Sequence, residues 1–129
     1  MPSANTLEAR VDTWLAAYCQ PDAALRLKAI QEVWNREGHL ADPPFEVYGH
    51  PGLSGAADGL LGQFPGHRFE RTTAVDTHHR FARYGWRLVG PDGKAAVEGV
   101  DFVELDVDGL LMRVIGFFGA NLPSPTPPQ

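Results

Sequence analysis

The amino-acid sequence predicts one small α+β domain in which helices come first and a curved, mainly antiparallel sheet follows. In three segments before Gly66, apolar residues recur at the spacing of an amphipathic helix. After Gly66, apolar and polar residues alternate in four segments that turn signals separate. The chain of 129 residues has the length of one domain, so we assign residues 1–119 to a single domain.

The first two predicted helices have start and stop signals. Asn5 begins the first helix in a capping-box pattern with Glu8, and Pro21 ends it. Its apolar stripe consists of Leu7, Val11, Trp14, Leu15 and Tyr18. Asp22 caps the second helix, which continues to Gly38 and directs Arg26 outward. Its inward residues are Leu27, Ile30, Val33 and Trp34.

The segment 41–52 interrupts the helical pattern. Its Ala-Asp-Pro-Pro start cannot continue a helix, and Phe45–Tyr48 alternates like a short strand before a turn at residues 49–52. A third helix then extends to Phe64, with an apolar side formed by Leu53, Ala56, Ala57, Leu60 and Phe64. Three glycines weaken this helix, so we expect it to depend on tertiary packing.

The remaining residues predict an antiparallel meander. We expect strands at roughly 68–78, 79–89, 94–106 and 110–118. Asp92-Gly93 and Asp108-Gly109 are hairpin signals between the last three strands. Residues 120–129 are too rich in proline to join a sheet, and we predict that they form a mobile tail.

Charge and composition exclude several classes of function. The net charge is −5, and no run of like charge provides a surface for nucleic acid or anionic lipid. No signal segment or membrane span is recognisable, so we expect a cytoplasmic protein. Cys19 is the single cysteine, and His39, His50 and His67 lie in predicted loops without ligand spacing. We therefore predict neither a metal site nor a cofactor.

Asp101 is the clearest candidate site residue. In its predicted strand it shares one face with Val97, Gly99, Val103 and Leu105, so a carboxyl group interrupts an apolar face. A buried carboxylate without a partner is costly, so Asp101 should find a donor or keep its proton with a raised pKa. An acid of a functional site fits this pattern, and so does a structural acid that is hydrogen-bonded to Trp86 or to a backbone group.

Other candidate residues have equally plain structural alternatives. Asp42 precedes two prolines, where an aspartate often does no more than stabilise a turn. His78 and His79 point to opposite strand faces, so at most one faces a cavity; we favour His78, with a surface or rim position as the alternative. Six aromatic residues either fill the core or line a pocket for a ring-containing ligand: Trp14, Tyr18, Trp34, Tyr48, Phe64 and Trp86.

The order of several short strings resembles a known superfamily over roughly residues 7–119. The chain is similar to the nuclear transport factor 2-like superfamily, in particular its SnoaL-like polyketide cyclase and ketosteroid isomerase branches. The strings are Trp14 to Tyr18, Pro21-Asp22, Trp34, Asp42-Pro43, Gly49, Phe64 to Gly66, Val75 to His78, Trp86, Asp92-Gly93, Gly99 to Asp101, Asp108-Gly109 and Gly116 to Phe118.

The resemblance implies a cone-shaped half-barrel closed by three helices, a ligand cavity between helices and sheet, and frequent dimerisation. It also implies catalytic roles, because Asp42-Pro43 matches the isomerase segment that holds the general base. Asp101 matches the acid that donates to the oxyanion in that chemistry. The position of the isomerase tyrosine holds Trp14 here, and Tyr18 lies one turn, about 5 Å, further along the helix.

Two functions follow from these residues. The first is a SnoaL-like protein that binds an apolar ring-containing molecule and transfers a proton next to a carbonyl, with Asp42 and Asp101 as base and acid. The alternative is a non-catalytic ligand carrier or an interaction module that dimerises through Val100 and Phe102 on the outer sheet face. The epoxide hydrolase branch of the same superfamily requires an arginine at the position where this chain has Gly99. This difference argues against epoxide hydrolysis.

Overall fold

The computed structural model describes residues 6–125, which form three helices and a seven-stranded sheet. The helices are α1 (Leu7–Tyr18), α2 (Ala23–Val33) and α3 (Gly49–Gln63). The strands are β1 (Trp34–Asp42), β2 (Phe45–Tyr48), β3 (Arg68–Arg71), β4 (Asp76–His78), β5 (Phe81–Val89), β6 (Ala95–Leu105) and β7 (Leu111–Phe118). The predicted α+β class is confirmed.

The sheet is mixed and does not close on itself. Its strand order is β2-β1-β7-β6-β5-β3, and β4 pairs with β5 beside β3. The pair β1 and β7 is parallel, and the other pairs are antiparallel. The helices cover one face, where the buried side chains of alternate strand residues form the core. This arrangement gives the cone-shaped half-barrel.

The N-cap of the first helix lies one residue later in the chain than predicted. Thr6 is the N-cap, and its hydroxyl oxygen accepts a hydrogen bond of 3.1 Å from the Ala9 amide. Asn5, the predicted cap, lies outside the described residues. In α2 the prediction holds, because Asp22 Oδ1 accepts hydrogen bonds from the Ala24 and Leu25 amides.

The second helix ends before Gly38, which corrects the predicted boundary. Residues from Trp34 onward form β1, because this segment pairs with β2 on one side and β7 on the other. Gly38 is buried under the ring of Trp34, where a Cβ atom would clash with the indole. The glycine is therefore needed for strand packing and does not end a helix.

The burial of Arg26 is a second correction. Its side chain was predicted to face solvent but is 1% exposed. The guanidinium donates hydrogen bonds to the backbone carbonyls of Gln20 and Ser54. These bonds satisfy the buried charge and connect α2 with α3.

The predicted strand 68–78 is two strands, β3 and β4. Residues between them leave the ladder because Thr73 Oγ1 accepts a hydrogen bond of 2.9 Å from the Gly85 amide, in place of a backbone acceptor. The turn predicted at residues 49–52 is the start of α3, which follows β2 directly. Residues 120–125 form neither helix nor strand, and residues 126–129 of the predicted tail lie outside the described residues. None of the helices in residues 6–125 has the length and apolar character needed to cross a membrane.

Candidate functional site

An apolar cavity lies between α1, α3 and the covered face of the sheet. Its volume is about 50 Å³, and its mouth opens to solvent. Four polar side chains contribute to the walls: Tyr18, Asp42, Gln63 and Asp101. The apolar walls consist of Leu15, Pro44, Phe45, Leu60, Phe64, Phe69, Trp86, Leu88, Val97 and Phe118.

Asp101 lies in the middle of β6 on the inward face of the strand, with 5% of its surface exposed. Tyr84 Oη donates a hydrogen bond of 2.7 Å to Oδ2, and Trp86 Nε1 donates one of 2.9 Å to Oδ1. Burial raises the pKa of Asp101 from 3.8 to about 7, and the charge of Asp42 adds to the rise. The two hydrogen bonds act in the opposite direction because they stabilise the carboxylate.

Asp42 is the last residue of β1 and is partly buried. Its Oδ2 accepts a hydrogen bond of 2.6 Å from Tyr18 Oη, which reaches it from the end of α1. Burial raises the pKa of this carboxyl, while the bond from Tyr18 lowers it. The alternative that Asp42 only stabilises a turn would require contacts with the local backbone. Its carboxyl instead lines the cavity.

Gly116 allows the two carboxyl groups to approach each other. This residue of β7 lies opposite Asp101 in the ladder with β6, and the parallel pairing with β1 brings Asp42 to its other side. A Cβ atom at Gly116 would clash with Asp42 Oδ1 and would lie 3.0 Å from Asp101 Oδ1. The missing side chain thus leaves room for two carboxyl groups with raised pKa values at one end of the cavity.

Tyr84 is a site residue that the sequence interpretation missed. It is 2% exposed, and it lies directly across the β5–β6 ladder from Asp101. The signal was present, because Tyr84 alternates with Trp86 on the inward face of β5. Burial and the charge of Asp101 raise the pKa of the Tyr84 phenol, which therefore keeps its proton and acts as a donor.

The crystal structure of a candidate isomerase of the SnoaL-like family from Agrobacterium tumefaciens matches this fold with a TM-score of 0.82. The two sequences are 30% identical, and the match covers 88% of this chain and 97% of that chain. This chain belongs to the SnoaL-like family. The resemblance inferred from the sequence is thereby confirmed.

Two further solved structures share the fold of this SnoaL-like protein. A protein from Catenulispora acidiphila with a ketosteroid isomerase-like fold, in complex with trimethylamine, has a TM-score of 0.71 and 13% identity, over 89% of this chain and 88% of that one. A candidate polyketide cyclase from Sinorhizobium meliloti has a TM-score of 0.66 and 14% identity, over 84% of this chain and 93% of that one. No protein-family model and no curated protein matches the sequence.

The SnoaL-like cavity brings together five of the predicted site residues: Tyr18, Asp42, Phe64, Trp86 and Asp101. Trp14 and Trp34 belong to the core, where they pack edge to face with ring centroids 5.2 Å apart. Within residues 6–125, neither indole N–H has a hydrogen-bond partner. Trp14 therefore does not donate into the cavity, and the structure corrects the prediction that both tryptophans line it.

Tyr48 and His78 also lie away from the cavity. Tyr48 is 64% exposed and stacks on His39. His78 and His79 are both exposed, so neither faces the cavity. His39 belongs to β1 and His50 to α3, not to loops as predicted. Among the described residues, no group of side chains has the arrangement of a metal site.

Removing the Tyr84 hydroxyl is expected to raise the pKa of Asp101 above about 7. Tyr84→Phe deletes a donor that stabilises the carboxylate, while the phenyl ring preserves the packing. The measurement is a pH titration of the ¹³C-labelled aspartate carboxyl signals by NMR. Tyr48→Phe, at an exposed ring, is the control that should leave the Asp101 signal unchanged. An unchanged or lowered pKa in Tyr84→Phe would contradict this account.

Proposed function

We propose that this SnoaL-like protein binds a small carbonyl compound in the cavity and transfers a proton at the carbon next to the carbonyl. The observation that carries the proposal is the pair of carboxyl groups with raised pKa values, Asp42 and Asp101, that meet across Gly116 at one apolar cavity. General acid and base catalysis requires two such groups with different protonation states at one pH. Asp101 is 5% exposed and Asp42 is only partly buried, so burial favours the protonated form more strongly at Asp101.

Asp42 is the base in this proposal, and Asp101 is the acid. The hydrogen bond from Tyr18 favours the ionised form of Asp42, which removes the proton from the substrate carbon. Asp101, with its pKa of about 7, carries its proton below about pH 7 and then donates a hydrogen bond to the carbonyl oxygen. The enolate then forms with its negative charge beside that donor. Asp42 returns the proton to the same or a conjugated carbon.

The tyrosine hydroxyl groups beside the carboxyl pair distinguish this site from that of a ketosteroid isomerase. Tyr18 Oη donates to Asp42, and Tyr84 Oη donates to Asp101, so each phenol supports a carboxyl group. In the described lining, Asp101 and the Gln63 amide then stay available to donate to the substrate oxygen. We do not extend the proposal to steroid isomerisation, which the resemblance associates with a tyrosine donor.

The cavity volume limits the substrate. Sites for drug-sized ligands usually have volumes of about 300–1,000 Å³, and the cavity here has about 50 Å³. We therefore propose that only the carbonyl end of the substrate enters the cavity. A ring attached to it would occupy the mouth, beside Phe45, Phe64 and Phe118.

The test is proton exchange at the α carbon of small ketones and cyclic enones in D₂O, followed by ¹H NMR. Wild-type protein is expected to accelerate the exchange, and Asp42→Asn should slow it about a hundredfold. The rate should fall as the pH rises above about 7, because Asp101 then loses its proton. Asp58→Asn, at an exposed carboxyl, is the matched control. Equal exchange rates in wild type and Asp42→Asn would exclude the mechanism.

A second candidate function is the binding of a small molecule without reaction. It is favoured by the engaged tyrosines, because among the described lining residues they leave Asp101 and the Gln63 amide as donors to an oxyanion. The protein from Catenulispora acidiphila, of similar fold, was solved with trimethylamine, a ligand of small size. Binding without any proton exchange, in both the wild type and Asp42→Asn, would favour this function.

Homodimer formation stays a prediction. Phe81, Phe102 and Phe117 are exposed on the outer face of the sheet, and the rings of Phe102 and Phe117 are 5.8 Å apart. Exposed aromatic residues of this kind are enriched at protein interfaces. We propose this face as the contact surface of a dimer.

A further inference from the structure

We propose that the cavity selects small organic monocations of the alkylammonium class over neutral molecules of the same shape, and that it excludes anions. The proposal uses the same cavity as the proposed function, but it does not depend on catalysis. Three features of the lining carry it: its charge, its aromatic rings and its exchangeable proton.

The charged side chains that line the cavity in the described residues are all acidic. Asp42 and Asp101 face the cavity, and among the described residues no basic side chain lines it. The nearby strand arginines turn outward, where Arg83 pairs with Asp76 and Arg87 with Glu70. An anion in the cavity would meet carboxyl groups without a compensating cation, in surroundings where charges interact strongly. A monocation would find opposite charge at one end of the cavity.

The aromatic walls form a connected series around this end. The ring centroids of Tyr18 and Phe69 are 5.1 Å apart, and those of Phe69 and Trp86 are 5.4 Å apart. Phe118 continues the series at 6.3 Å from Trp86. The rings are inclined to one another, as in a cage, by 32° to 82°. Aromatic faces attract alkylammonium ions, and most strongly where water is excluded.

The carboxyl pair can adjust its charge to the ligand. Asp101 loses its proton to solvent when a cation enters, so one positive charge replaces another and no other bond changes. The other groups that face the pair are Tyr18 from α1 and Tyr84 from β5, and both phenols have raised pKa values. From α3 the lining receives the uncharged Gln63, and Gly116 of β7 lies against both carboxyl groups. Cation binding should therefore strengthen as the pH rises through the titration of Asp101.

The test compares three probes that share a tert-butyl-like shape: tetramethylammonium, tert-butanol and pivalate. Binding is followed by NMR chemical-shift changes at constant ionic strength, at several values between about pH 6 and about pH 8. We expect tetramethylammonium to bind at least about tenfold more tightly than tert-butanol at the upper pH. Its affinity should increase with pH, and pivalate should not bind.

Two variants test whether the carboxyl pair causes the preference for the cation. Asp101→Asn and Asp42→Asn should each reduce the preference for the cation, and circular dichroism shows whether each variant is folded. Equal affinity for tetramethylammonium and tert-butanol, binding of pivalate, or an affinity that does not increase with pH would overturn the proposal. The proton-exchange assay is a separate measurement, so this proposal and the proposed function can fail independently.

Discussion

Replacing Asp101 by asparagine is expected to remove a pH-dependent loss of stability of about 4 kcal/mol between about pH 4 and about pH 7. The pKa of this carboxyl is about 7 in the folded protein and 3.8 when the group is freely solvated. Below the lower value both states are protonated, and the group has no effect on stability. Between the two values the unfolded chain ionises first, so the folded state loses relative stability as the pH rises.

Asparagine has nearly the same shape but does not titrate. Its oxygen accepts the bond from Trp86, and its amide group donates to Tyr84 Oη, so the local packing is preserved. The free energy of unfolding of wild type and variant is measured by urea denaturation across this pH range. The variant should become more stable relative to wild type as the pH rises.

Glu70→Gln serves as a control of opposite sign. Arg87 lowers the pKa of the exposed Glu70 carboxyl, so its contribution to stability is present at neutral pH and is lost on acidification. The wild type should therefore gain stability relative to Glu70→Gln as the pH rises through the acid range. If Asp101→Asn showed this same direction, Asp101 would carry a lowered pKa, and its assignment as the acid would fail.

The sequence predicted the features of the site that depend on a single strand or helix. The alternation around Asp101 identified an inward carboxyl group, and helical spacing placed Tyr18 on the inward side of α1. Periodicity shows which residues face inward, but it does not separate a filled core from a cavity. For this reason Trp14 and Trp34 were expected at the cavity, although both are core residues.

Features that depend on contacts between distant segments were not predictable in the same way. The residues of β1 continue a helical pattern locally, and they form a strand because β2 and β7 pair with them. The role of Gly116 follows from the same parallel pairing, since Asp42 and Asp101 meet only when β7 lies between their strands. Local propensity carries no information about such pairings.

Arg26→Ala is expected to destabilise the protein by about 3 kcal/mol, because it removes the buried hydrogen bonds of the guanidinium and takes away the donor to the Gln20 carbonyl. Arg26 Nε donates to the Gln20 carbonyl at 2.9 Å, and Nη1 donates to the Ser54 carbonyl at 2.8 Å. A carbonyl such as that of Gln20 costs roughly 1–3 kcal/mol when it is left unpaired and stays shielded from water, and the lost bond to Ser54 adds to this cost. The guanidinium also joins α2 to α3, the helix that supplies Leu60 and Gln63 to the cavity wall.

Arg26 also forms an ion pair with Asp58, and removing Asp58 alone measures how much this pair contributes to stability. The Asp58 side chain is 72% exposed, so removing it should cost less than about 1 kcal/mol. Urea denaturation of Arg26→Ala, Arg26→Lys and Asp58→Ala at neutral pH measures the three free energies of unfolding. Arg26→Lys should also be destabilised, because an ammonium group cannot reproduce the planar fork that reaches both carbonyls. Equal losses in Arg26→Ala and Asp58→Ala would show that the charge pair stabilises the helices. A much larger loss in Arg26→Ala would assign the stabilisation to the bonds with the backbone.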